Sequence, residues 1–133
     1  MSTIKVVMSL AVVVFILLLF TNSPRRNAPT YNVATERSVE GVVEQIEDFY
    51  CPISGDEGTH LMLRTENGSI QVHVAPRRFL RGNRLSFAKG DRIEVVGSEV
   101  TYKGAPALIA RQITRGTETF AFRAPTGKPV WAE

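Results

Sequence analysis

The side chains best suited to chemistry are few: one cysteine, Cys51, two histidines, His60 and His73, and a basic run from Arg77 to Arg92. His60, Met62 and His73 fall on one face of an expected hairpin, with Met62 opposite His73 and His60 diagonal to it. Two imidazoles and a thioether are a soft donor set that suits copper or an axial position on haem. The more ordinary account is that they decorate a solvated sheet face, since no carboxylate or thiolate is fixed beside them. A haem chaperone would also use a histidine in the tail, and none follows His73. Cys51 and His60 can be drawn as nucleophile and base, but no third group orients them, and Cys51 sits beside Pro52 in a loop. Paired carboxylates, a phosphate loop and metalloprotease spacing are all missing, so no enzyme and no cofactor are expected. A single cysteine also excludes an intrachain disulfide and a cysteine-based zinc cluster.

The basic run is Arg77, Arg78, Arg81, Arg84, Lys89 and Arg92 against Asp91 alone, a net charge of +5. Phe79 and Phe87 are interleaved. Such a segment suits phosphate oxygens, anionic head groups or an acidic partner, and a solvated face with inward phenylalanines is the plain alternative. The stretch from Glu36 to Glu57 is its opposite, seven acidic residues against Arg37, a polarity that favours head-to-tail protein contacts. Over the whole chain the net charge is only +3. Single-strand binding also needs aromatic stacking platforms, and here only Tyr50 and Tyr102 could contribute, from loop ends. Nucleic acid is therefore not the expected partner.

These residues depend on short β-type runs for their placement. Thr59 to Thr65 and Ile70 to Ala75 flank Asn67-Gly68, a two-residue turn signal. That turn sets Leu63 opposite Val72 and Leu61 opposite Val74, facing inward, with His60, Met62, Arg64, Gln71 and His73 facing out. Upstream, Ser38 to Tyr50 is a strand with Gly41 at a bend or bulge. Pro76 and Gly82 bracket a short helix. RIEVVGSEVTY, broken by Gly97, and ALIARQI supply two further strands. Phe120 and Phe122 then alternate inward on a sixth strand, and Trp131 packs outside the barrel or plugs one end. The expected fold is all-β: a five-stranded OB-type barrel with a short helix between strands 3 and 4 and a C-terminal strand extension.

The run FAKGDRIEVVGSEV, the hairpin before it and ALIARQI after it resemble the small periplasmic OB-fold proteins of bacteria, the BOF or YgiW-like group. The resemblance spans Val39 to Ile113 and lies in strand pattern and turn placement. It implies a secreted or periplasmic, stress-related binding domain, and it carries over no catalytic residue.

Residues 1–21 read as a membrane anchor or signal segment. Val6 to Phe20 carries no charge, Ser9 is its only polar side chain, and residues 4–21 just reach the roughly 17–25 residues that a transmembrane helix needs. Candidate cleavage points after Ser23 and Ala28 are each followed by proline, which favours an uncleaved anchor over a cleaved signal. No cysteine directly follows the apolar run, so a lipoprotein anchor is excluded. Residues 22–37 read as a linker and 38–133 as the domain. Lys5 on one side and Arg25 and Arg26 on the other leave orientation open. The functional expectation is a non-catalytic, single-pass inner-membrane protein with a periplasmic domain, binding a protein of the envelope. A metal- or haem-handling accessory and a single-strand nucleic-acid binder are the alternatives.

Overall fold

A computed structural model describes residues 28–132, so the apolar segment at 4–21 and linker residues 22–27 lie outside the described residues. Among the described residues no helix is long and apolar enough to cross a membrane.

After a 3-10 turn at Val33–Thr35 come strands β1 (Glu36–Cys51), β2 (Asp56–Thr65) and β3 (Gly68–Pro76), then helix α1 (Arg77–Gly82). Strands β4 (Arg92–Tyr102), β5 (Ala105–Arg115) and β6 (Glu118–Ala121) complete the order. The sheet runs β3-β2-β1-β4-β5-β6, and β3 also meets β5 in parallel, which closes the first five strands into a ring. All other pairings are antiparallel. One edge of β5 serves β4; the other is shared end to end by β3, over residues 107–109, and β6, over 112–115. Ring closure gives the strand edges partners, so few backbone donors are left open to another chain.

Two glycines let long strands serve two neighbours. β1 pairs with β4 through Val42 and with β2 from Val42 onward. At this handover a Cβ on Gly41 would stand 2.4 Å from the Arg64 carbonyl oxygen and 2.8 Å from Leu63 Cγ, closer than any side chain allows. Gly97 sits at the register shift in the β4–β5 ladder, where a Cβ would meet the Ile109 carbonyl oxygen at 2.4 Å. Both are the mid-strand glycines singled out from the sequence.

The β2–β3 hairpin forms with a different register from the expected one. Thr65 pairs with Gly68, so Glu66 and Asn67 make the turn and Gly68 alone takes positive φ, at 105°. The Thr65 hydroxyl caps the turn, donating to the Gly68 carbonyl at 2.6 Å. Leu61 therefore faces Val72 and Leu63 faces Ile70. The slip is two residues, one full side-chain period, so the inward set is unchanged. Leu61, Leu63, Val72 and Val74 are all buried, beside Val43, Val95, Leu108, Ile113 and Phe122. Each such side chain contributes about 1.5–3 kcal/mol by leaving water.

The chain on either side of the ring is folded onto it. Residues 31–37, assigned to the linker by composition, belong to the fold: Asn32 N–H donates to Ser98 Oγ at 3.0 Å and Tyr31 Oη donates to Glu36 at 2.6 Å. At the other end Phe122 is fully buried and Phe120 partly so. Trp131 packs 5.7 Å from the Phe79 ring, with the Arg123 guanidinium 5.2 Å over its face. It is partly buried and packs against the core.

Candidate functional site

The hairpin face expected to be solvated is in part a second interior. The same two-residue slip brings His60 opposite His73, and Met62 opposite Gln71 rather than His73, with a bulge just beyond, between Thr59 and His60. Both histidines are buried, at 2% and 4% exposure. The physical reason lies in other strands. Phe49 of β1 stacks on the His60 ring at 3.6 Å, and Tyr102 at the end of β4 sets its edge on His73 at 4.6 Å. The two imidazoles meet edge to face at 4.6 Å. Cys51, last residue of β1, is buried beside them. Its Sγ and His73 Nδ1 are hydrogen-bonded at 3.4 Å, donor and acceptor depending on the ring tautomer.

One ligating atom from each of Cys51, His60 and His73 lies within 4.8 Å of the others. The set joins a thiol to the two imidazoles singled out as metal ligands; Met62, the third residue of the sequence-derived set, lies half-buried on β2. Cys51 is partnered by His73 and not by His60, as a nucleophile–base reading would have it. Its signal in the sequence was weak, because β1 carries it to β3 across 22 residues of chain.

The rings hold little charge. Burial pushes His60 down to about 4, and burial followed by the neighbouring His60 pushes His73 down to about 3. Both are neutral imidazoles near pH 7, the form that binds metals. Backbone groups of Glu47 and Gly58 favour the protonated His60 slightly, yet neither makes a hydrogen bond of acceptable geometry. Nδ1 and Nε2 of His60 and Nε2 of His73 have no partner. His60 and His73 line a cavity of about 10 Å³ together with Cys51, Gly58, Arg123 and Trp131. Arg123 is itself 8% exposed, with one guanidinium N–H donating to the Gly127 carbonyl at 2.9 Å.

The basic residues do not form one patch. Arg77 reaches Asp48 at 3.4 Å and Glu57 at 3.0 Å, and Arg78 reaches Asp56 at 2.8 Å. Part of the acidic β1–β2 segment is thus paired within the chain, which reduces the two-sided polarity read from the sequence. Arg81 on α1, Arg84 after it, Lys89 in the next turn and Arg92 opening β4 are exposed. Phe87 is buried and Phe79 half-buried against Phe122 and Trp131. Tyr50 is exposed, whereas Tyr102 is turned onto His73.

Fold and site together define a closed β-ring with a small buried thiol–imidazole pocket. A family model described as the MamS/MamX magnetosome protein family matches residues 35–120, and the chain belongs to that family. The match is to this family rather than to the BOF or YgiW-like group that the strand pattern resembles. Histidinol-phosphate aminotransferase 1 of Hydrogenovibrio crunogenus (strain DSM 25203 / XCL-2) is 29% identical over 83 residues, covering 57% of this chain. The chain spans 23% of the length of that curated relative.

Proposed function

We propose that this protein is a non-catalytic magnetosome-associated accessory, an OB-type barrel held at a membrane by residues 4–21 and acting by binding a protein partner. The observation that carries the reading is the family match over residues 35–120, which covers the whole ring. The strand order 3-2-1-4-5 with parallel closure of β3 on β5, and a short helix between β3 and β4, supports the OB assignment. The domain lies on the side of the membrane away from the cytoplasm. Contact falls on Arg81, Arg84, Lys89 and Arg92, whose charges have no carboxylate within ion-pair distance among the described residues.

The single-strand reading has less support. A stacking platform needs several exposed aromatics, and Tyr102 is engaged with His73. Less than a quarter of the aminotransferase is matched, so its activity is not carried to this chain.

A tagged full-length chain expressed in magnetosome-forming cells tests the proposal. The protein should co-purify with the organelle's membrane fraction together with a specific protein. That protein should be lost when Arg81, Arg84, Lys89 and Arg92 are all changed to Glu. Recovery in the cytosolic fraction alone, or unchanged partner recovery with the four-fold variant, would sink it.

A further inference from the structure

We propose that Cys51, His60 and His73 bind one copper(I) ion, held by a thiolate sulfur and two imidazole nitrogens. This inference stands apart from the accessory reading and does not depend on which partner the exposed cations contact. The whole chain has one cysteine and two histidines, and folding gathers all three into one cavity. Their ligating atoms lie within 4.8 Å of one another. Donors at about 2.0–2.3 Å from a metal ion stand roughly 4 Å apart, so closure onto an ion needs only a small side-chain adjustment.

Three further observations select the ion. The cavity of about 10 Å³ has room for one water-sized body, so a bare ion fits and a porphyrin does not. Thiolate with imidazole is a soft donor set suited to copper and zinc, and no carboxylate joins it to favour hard cations. Charge then separates copper from zinc. Arg123 lines the same cavity, and its guanidinium is buried. A monovalent ion on one thiolate is neutral, whereas a divalent ion would leave a positive charge next to the arginine in a medium of low polarity. On binding, the Cys51 thiol gives its proton to solvent as the sulfur–copper bond forms, and no electron is transferred. The rings need little reorganisation for this: Phe49 and Tyr102 already pack against them, both nitrogens of His60 are free of other partners, and His73 Nδ1 already lies 3.4 Å from the Cys51 sulfur.

The probe is copper(I) itself, titrated under reductant and a chromophoric chelator into the full 133-residue chain in mild detergent. One equivalent should be withdrawn from the chelator. Cys51→Ser and His73→Ala should each weaken binding by more than about 100-fold, beyond the 10–100-fold typical of groups behind the ligands. Met62→Ala should leave affinity within a few-fold. X-ray absorption of the loaded Met62→Ala protein should show one sulfur and two nitrogens, which decides the matter even if a ligand variant fails to fold. No uptake against the chelator, affinity unchanged in both ligand variants, or a copper shell without sulfur would each overturn the site. Retention of zinc(II) over copper(I) from an equimolar mixture would overturn the ion assigned.

Discussion

An imidazole buried without a hydrogen-bond partner opposes its own protonation, and that gives the metal-free protein a characteristic acid response. In the unfolded chain each histidine titrates near 6.5; in the fold burial holds His60 at about 4 and His73 at about 3. Below pH 6.5 the unfolded chain therefore takes up protons that the fold refuses. Stability is full above 6.5 and falls as the pH drops toward 4. Between pH 6.5 and 5 the loss should be on the order of 1–2 kcal/mol per histidine, read from urea midpoints. The double variant His60→Leu, His73→Leu should flatten that part of the curve. Glu36 responds lower down. The guanidinium of Arg111 grips it at 3.0 and 2.8 Å and Tyr31 donates to it, which together hold its carboxyl below the ordinary value. Its contribution is present above the unfolded value and lost as pH falls through the folded one. Arg111→Ala should lower stability by about 1 kcal/mol at pH 7, and the difference from the parent protein should shrink as acid titrates the Glu36 carboxyl. The sequence pointed to both histidines but not to their burial. Two rings from distant strands, Phe49 and Tyr102, close over them, and alternation along β2 and β3 carries no trace of those rings.

At the level of the element, the legible features were those with a local cause. Pro76 caps the start of a six-residue helix because proline fixes φ there, and Gly82 is its last residue, with Asn83 beyond it donating its side-chain N–H to the Phe79 carbonyl at 2.8 Å. Gly41 and Gly97 mark where two backbones come too close for a side chain. Gly97→Ala should destabilise the protein by about 1–3 kcal/mol, since the Ile109 carbonyl it would strike belongs to the ladder and cannot rotate away. Equal urea midpoints for the variant and its parent would refute this. The hairpin was legible in kind and wrong in register, because Asn-Gly can either form the whole turn or give only its glycine to the positive-φ position that ends one. Here it does the latter, and the Thr65 hydroxyl holds that arrangement.

For the molecule as a whole, the strand order was readable because each turn signal lay between runs of the right length. The tail was readable only as a strand with a tryptophan beyond it. Phe122 shows how much depends on that tail: it is fully buried and packs edge-on to Phe79 at 6.3 Å. Phe122→Ala should cost about 3–5 kcal/mol and lower the thermal midpoint, against little change for the exposed Val130→Ala. The ring itself is closed by three residue pairs between β3 and β5, Gln71 with Ala107, Val72 with Leu108 and His73 with Ile109. A belt is weakest at its buckle, and this buckle is the shortest pairing in the loop of five strands. Transient unfastening there would swing His73 outward, so amide protons of residues 71–73 should trade with deuterated solvent sooner than those midway along β1. A dissolved ion would then reach the interior at the rate of that breathing, slowly, and leave just as slowly.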